Sequence, residues 1–251
     1  MGYMKIVQFG NITEIYEYEK PIANHKERHV SQLTKKRQKQ ARLARKARGL
    51  YERSPESIKK SKLAFFRLCH HNNCNSDTIH FVTLTFTYDL SIKEARGHVK
   101  RFMERTQKAK PDLSLRYISV PELTKKGRFH FHLLVYDLPP ETAELERKTR
   151  NFQRLFQRGF VDISLATYNS VGIAGYMAKY MAKALTDFKD EAARGFTSSR
   201  NIKKITSAGS NTLSGYTDMI VPTDRVANVE NRQYDVKYLG KCRYTKITTI
   251  L

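Results

Sequence analysis

Residues Gly127 to Leu134 read G-R-F-H-F-H-L-L. An extended strand turns successive side chains to opposite faces, with a period of two. His130 and His132 then share one face, and Phe129, Phe131, Leu133 and Val135 share the other, directed into a core. Two imidazoles on a strand with an apolar back are two ligands of a metal site. The plainer reading is a surface strand that carries two histidines, and the company it keeps decides between them.

The flanking sequence supplies that company. Leu115–Val120 reads as a strand leading to Pro121-Glu122, and Thr124-Lys125-Lys126-Gly127 is short enough for a hairpin turn. Antiparallel return brings Glu122 beside His130 and His132, although an ion pair with Lys125 or Lys126 is an alternative use of the carboxylate. Imidazole plus carboxylate with positions left for water suits Mg²⁺ or Mn²⁺ better than a closed zinc site. Upstream, F-V-T-L-T-F-T at 81–87 alternates Val82, Leu84 and Phe86 against three threonines, a half-buried strand. Ser91 and Glu94 form a capping box opening a helix whose Ile92, Ala95, Val99, Phe102 and Met103 share a face.

Downstream, Pro139–Arg158 reads as one helix with Leu145, Phe152, Leu155 and Phe156 buried and Gly159 just past its end. Phe160–Ser164 is a short strand. Asn169 or Ser170 then caps a helix to about Thr186 carrying G-Y-M-A-K-Y-M-A-K. Tyr176, Lys179, Tyr180 and Lys183 fall within one sector of about 100°. Met177, Ala178, Met181, Ala182 and Leu185 occupy the rest. An amphipathic helix with tyrosines at its border is the plain reading. Beside a metal site the pattern gains chemistry: ammonium neighbours favour the phenolate and activate tyrosine as a nucleophile. A cation polarises a phosphodiester. Attack gives a 5′-phosphotyrosine and a free 3′-hydroxyl, and a second tyrosine allows a second cleavage.

Charge points to the substrate. The chain of 251 residues has 46 Lys and Arg against 24 Asp and Glu, a formal charge of +22. Such a surplus calls for a polyanionic partner, nucleic acid before a membrane surface. Between Lys26 and Lys62 fourteen Lys and Arg stand against three Glu, with almost no apolar stripe. Lys35, Lys36, Arg37, Arg42, Arg45 and Lys46 in this arm are candidate DNA contacts. So are Lys125, Lys126 and Arg128 in the hairpin, and Arg200, Lys203 and Lys204. A helix follows the arm from Ser54-Pro55, with Ile58, Lys62, Phe65, Phe66 and Cys69 on one face.

No apolar run reaches the ~20 residues of a spanning helix. Three cysteines argue against a disulfide framework and for a reducing cytoplasm. Cys69-His70-His71-Asn72-Asn73-Cys74 lacks the second ligand pair of a structural zinc site. No ATP-binding loop is evident, so single-stranded DNA is the expected substrate. Lys5–Phe9 is a possible strand, and Tyr234–Leu239 and Tyr244–Leu251 are β-type runs without a place on the core.

From Phe81 to about Ile205 the chain resembles the HUH superfamily of single-strand endonucleases, in particular the two-tyrosine rolling-circle replication initiators (Rep) of phages and plasmids. F-V-T-L-T-F is similar to the first family motif, and E-L-T-K-K-G-R-F-H-F-H to the metal motif with its upstream acid. R-G-F-V-D-I and G-Y-M-A-K-Y-M-A-K resemble the strand and tyrosine helix that follow, and F-T-S-S-R-N-I-K-K a later basic segment. The resemblance implies an α+β fold with a central antiparallel sheet of about five strands flanked by helices. It implies nicking of a replication origin, as single strand or hairpin, strand transfer and circularisation, alongside host helicase and DNA polymerase in a prokaryotic cytoplasm. The segments expected are an N-terminal part with the basic arm (1–75), the endonuclease domain (76–205) and a C-terminal extension (206–251). The state expected is monomer or weak dimer. A relaxase or transposase shares the chemistry, and a non-enzymatic basic nucleic-acid-binding protein lacks it. A metal-free phosphodiesterase would need two H-x-T/S motifs, where only one H-x-H exists.

Overall fold

A computed structural model describes residues 2–21, 36–37, 40, 44, 53–125, 127–166, 169–188, 195–210, 225–237 and 239–250. The chain divides into one unit of Ala44–Lys203 and another of Met1–Leu43 with Lys204–Leu251. This division differs from the three consecutive segments 1–75, 76–205 and 206–251. The helix before the first motif lies within the larger unit, and both chain ends build the smaller one. Each sheet is five-stranded and antiparallel, and with the helices the fold class is α+β.

In the larger unit the sheet order is β6-β3-β5-β4-β7. These strands are β3 (Ile79–Phe86), β4 (Arg116–Leu123), β5 (Phe129–Tyr136), β6 (Gly159–Leu165) and the short β7 (Thr197–Ser198). Period-two patterning sorts their side chains. Val82, Leu84, Phe129, Phe131, Leu133 and Val135 enter a core under α2 (Ile92–Ala109), with Phe152 and Phe156 of α4 (Asn151–Phe156). Each such side chain, fully buried, contributes about 1.5–3 kcal/mol. Ile118, Val120, Leu134 and Tyr136 enter a second core on the opposite face, under α1 (Pro55–Cys74) and α5 (Ser170–Asp187). Helices therefore cover both faces, and the histidine face is the one that α5 spans.

Local signals fix the element ends. Ser54 accepts from Ser57 N at the start of α1, and Ser91 with Glu94 closes the capping box of α2. Asn169, rather than Ser170, caps α5 by accepting from Gly172 N at 2.7 Å. The expected helix Pro139–Arg158 is two helices, α3 (Pro140–Thr149) and α4, because Arg150 adopts φ 55° and breaks the run. As a consequence Leu145 is 52% exposed instead of buried. The left-handed residue ending α4 is Gln157, and Gly159 starts β6. Gly159 has φ +147°, and a Cβ there would overlap the Thr85 carbonyl, so this close crossing requires glycine.

The smaller unit has strand order β8-β1-β2-β10-β9. The possible strand at Lys5–Phe9 is β1 (Tyr3–Phe9), paired with β2 (Ile12–Tyr18). The late β-type runs find their place here: β8 is Thr206–Ser210, β9 Val226–Val236 and β10 Gly240–Thr249, with β10 on β2. Ile6, Val7, Phe9, Ile12 and Cys242 are its buried residues. No helix of the described residues is long and apolar enough to cross a membrane.

Candidate active site

The β4–β5 hairpin builds the first half of the site. Thr124 N donates to Arg128 O at 2.9 Å and Gly127, at φ 77°, donates to Thr124 O at 3.0 Å. This turn sets the register that puts Glu122 opposite His130 and Val120 opposite His132. Across β3 the same rows continue, with Thr85 opposite His130 and Thr83 opposite His132. Glu122, His130 and His132 therefore share one sheet face, as the alternation predicts.

Helix α5 supplies the second half. Met177, Ala178, Met181 and Leu185 are buried against the sheet, which leaves the sector of Tyr176, Lys179, Tyr180 and Lys183 along the rim. The Tyr180 ring lies 4.3 Å, centroid to centroid, from the His132 ring. The Tyr176 and Tyr180 hydroxyls share a hydrogen bond of 2.8 Å. Lys183 Nζ donates to Glu122 Oε1 at 2.7 Å, and His132 Nε2 donates to Glu122 Oε2 at 2.8 Å. Both tyrosines thus stand on the side of the sheet that carries Glu122 and the histidines. Lys179 is exposed.

The Glu122 carboxylate is engaged by Lys183, and Lys126 lies outside the described residues. The expectation that ammonium neighbours favour the phenolate needs correction at Tyr180, whose pKa is raised. Its hydrogen bond with Tyr176 comes first among the causes, then burial, then the charges of Tyr176 and Glu122. Lys183 is paired with Glu122, whose own pKa is lowered. Burial alone would raise it, but the hydrogen bonds and charges of Lys183 and His132 outweigh that. Burial lowers the pKa of His130, helped by the nearby His132 and opposed by Glu122, so its neutral form is favoured.

The donor set can be tested against a divalent cation. Cis oxygen and nitrogen ligands of an octahedral ion with bonds of about 2.1 Å sit about 3 Å apart. The 2.8 Å between Glu122 Oε2 and His132 Nε2 is close to that edge. His132 Nδ1 is buried without a hydrogen-bond partner, so the ring has polar capacity the protein does not use. Among the described residues no three His, Cys, Asp or Glu side chains converge into a metal cage. The Glu122–His132 pair matches one edge of an octahedral coordination sphere, with Lys183 on the other carboxylate oxygen. In the Cys69–Cys74 run, Cys69 is buried in the core, and Cys74 Sγ lies 3.6 Å from His70 Nε2 and from Ser170 Oγ.

The described candidate DNA contacts of the larger unit occupy three places. Lys125 and Arg128 border a cleft of about 310 Å³ with His130, Thr85 and Phe160. Arg200 lines another cleft, with Arg96, Lys100 and Tyr117 beneath α2. Lys203 is held to the end of α1, its Nζ donating to Asn75 O at 2.9 Å. Lys36, Arg37 and Lys204 are exposed residues of the smaller unit. Lys35, Arg42, Arg45, Lys46 and Lys126 lie outside the described residues.

Sequence reasoning passed over one residue at the site and one that braces the far end of the same strands. Phe81 packs its ring 5.7 Å from His132 and 5.4 Å from Tyr176, and its place on the threonine face of β3 was the available signal. Arg116 is buried at the base of β4, where a lone arginine at a strand start gave no signal.

The family model of Replication-associated protein ORF2/G2P matches residues 79–185. That span includes Glu122, His130, His132, Tyr176 and Tyr180, and the match bears out the Rep-type resemblance. No curated protein sequence matches the chain. A solved structure, the N-terminal nuclease domain of non-structural protein 1 of minute virus of mice, aligns with 63% of this chain and 79% of its own at 9% identity, with a TM-score of 0.26. That domain is described with Zn²⁺ coordination in its active-site pocket and DNA recognition at the origin of replication.

Proposed function

We propose, from the premise that residues 79–185 are a Rep-type replication-associated module, that this protein nicks single-stranded DNA at a replication origin by tyrosine attack and later rejoins it. The observation that carries the reading is the meeting of two phenols with a histidine–carboxylate–lysine chain on one sheet face. Two aligned hydroxyls beside such groups have no use in a protein that only binds DNA.

In this reading the oxygen of Tyr176 or Tyr180 attacks the scissile phosphorus. The P–O3′ bond breaks, the 3′-oxygen leaves with a proton, and a 5′-phosphotyrosine remains. The bond energy is conserved, so the free 3′-hydroxyl of a second strand end reverses the step without ATP. The Tyr180 phenol starts with a raised pKa, so its proton must pass to a base or to solvent as attack begins. Lys183 is the group that changes partner: an incoming phosphate draws it from Glu122, and its charge then favours the phenolate. Lys179, exposed on the same sector, steadies the phosphoryl oxygens or protonates the leaving oxygen. Glu122, His130 and His132 would hold Mg²⁺ or Mn²⁺. When bound, that ion supplies Lewis-acid polarisation of the phosphodiester. Paired tyrosines one helical turn apart favour an initiator over a relaxase or transposase, since the second can cleave while the first stays linked.

One gel tests this. The protein is incubated with labelled single-stranded DNA and Mn²⁺ and run under denaturing conditions. A covalent adduct that disappears in the Tyr176→Phe/Tyr180→Phe double variant is expected. Binding across many sequences with no adduct in the wild type would establish the plain nucleic-acid-binding alternative instead.

A further inference from the structure

The Tyr176 ring meets the Tyr180 ring edge-on, 4.9 Å between centroids. It also lines a cavity of about 680 Å³, together with Phe81, Ser164, Leu165, Gly172 and Ile173. No Lys, Arg, Asp or Glu lines it among the described residues. Its walls are unusually apolar for an open surface: Leu165 is 51% and Tyr176 47% exposed, and nearby Val171 is 48% exposed. In a chain with a formal charge of +22, an uncharged, aromatic-walled recess stands apart. Exposed apolar surface of this kind marks a place where something apolar docks. The Phe81 and Tyr176 rings stand 5.4 Å apart at 58°, so they form an open angle rather than a closed stack.

We propose that this cavity receives the unstacked nucleobase adjacent to the scissile phosphate; the proposal rests on the nicking reading above. A phosphodiester held at the Tyr176 and Tyr180 hydroxyls carries a nucleoside on each side. A base swung across the Tyr176 ring enters the recess, its flat faces against Phe81, Leu165 and Ile173. Base faces stack on such walls whatever their sequence. Gly172 adds no side chain to the wall, and the Ser164 hydroxyl is a polar group available to a base edge. Selection there is by flatness and size more than by base identity. Because Phe81 touches both His132 and Tyr176, filling the recess also fixes the ring that orders the site.

The full-length protein with Mn²⁺ is tested on oligonucleotides carrying one abasic site, moved stepwise through the cleavage position. At one of the two flanking nucleotides, loss of the base should slow adduct formation about fivefold to a hundredfold. Leu165→Trp, which fills the recess from an exposed strand end, should slow cleavage of the intact oligonucleotide by a similar factor. The same variant should cleave the oligonucleotide abasic at that position as fast as the wild type does. The proposal falls if no position stands out, or if Leu165→Trp slows intact and abasic substrates equally. A second readout separates it from the nicking reading. With metal chelated, 2-aminopurine at the flanking position should be quenched on binding, and Leu165→Trp should abolish that quenching. If the wild type forms no adduct with any DNA, the nicking reading fails. Position-specific quenching would then still support a base-binding recess, and uniform quenching would overturn it.

Discussion

Arg116 spends its donors inside the fold. Its Nε donates to Asp137 Oδ2 at 2.9 Å and Nη1 to Asn72 Oδ1 at 2.8 Å. Its Nη2 donates to Asn75 O at 3.0 Å and Ser76 Oγ at 2.7 Å. A planar fork serves partners in several directions at once, and an ammonium does not. We expect Arg116→Ala to cost about 3 kcal/mol, since it removes the ion-pair partner of Asp137 and one of the two donors to Asn72 Oδ1, and Arg116→Lys to recover little of it. Urea titration checks both; a full recovery with lysine would reduce the network to its charge. At Lys183 the expectation is a gain. If the ammonium competes with a cation for Glu122, Lys183→Met should bind Mn²⁺ about twofold to fivefold more tightly while forming adduct more slowly. Glu122→Gln should weaken Mn²⁺ binding instead. Equal Mn²⁺ affinity in the wild type and the Lys183 variant, by electron paramagnetic resonance titration, would remove the competition. Residue identities at the site were legible because alternation and the helical period are backbone geometry. The partner of Lys183 was not legible, because it depends on how far apart a helix and a hairpin settle. That distance is set by core side chains such as Val120 and Met181.

Elements were legible where their ends carry local chemistry. The capping box of Ser91 and Glu94 is readable from four residues and is present in the structure. The helix from 139 to 158 was misread because Arg150 and Gln157 hold left-handed conformations that neither residue type announces. The cap has a pH signature. Hydrogen bonds from the Ser91 backbone, then from its side chain, hold the Glu94 pKa below its usual value. A carboxylate depressed in the folded state stabilises above its unfolded pKa, and the benefit is lost as pH falls through the folded value. The stability difference between wild type and Glu94→Gln should therefore be full at neutral pH and vanish as the solution is acidified below the usual glutamate range. A difference that persists at the acid end would assign the effect to packing. Ser91→Ala should cost about 1 kcal/mol at neutral pH.

At the scale of the molecule, charge and topology separate. Half the surplus charge lies between Lys26 and Lys62, and each phosphate of a single strand it neutralises steepens the salt dependence of binding by about 0.7 in the logarithmic slope. Deleting 25–50 should flatten that slope while leaving the Mn²⁺ affinity unchanged; an identical slope would make the arm a spectator. The second sheet was not legible. Its strands come from opposite ends of the chain, and no pattern in either end names the other. Pairing of β10 with β2 unites residues more than 220 positions apart, as Cys242 opposite Tyr18 illustrates.

That pairing has a consequence during synthesis. A ribosome delivers the β1–β2 hairpin before any strand of the larger sheet, and its two neighbours β8 and β10 only after all of them. The early hairpin must wait with both edges bare until β8 emerges, and with its β2 edge bare until β10 follows. Nascent chains stalled after about residue 230 should resist protease across 55–203 yet be clipped within the first twenty residues, and release of the finished chain should close that window.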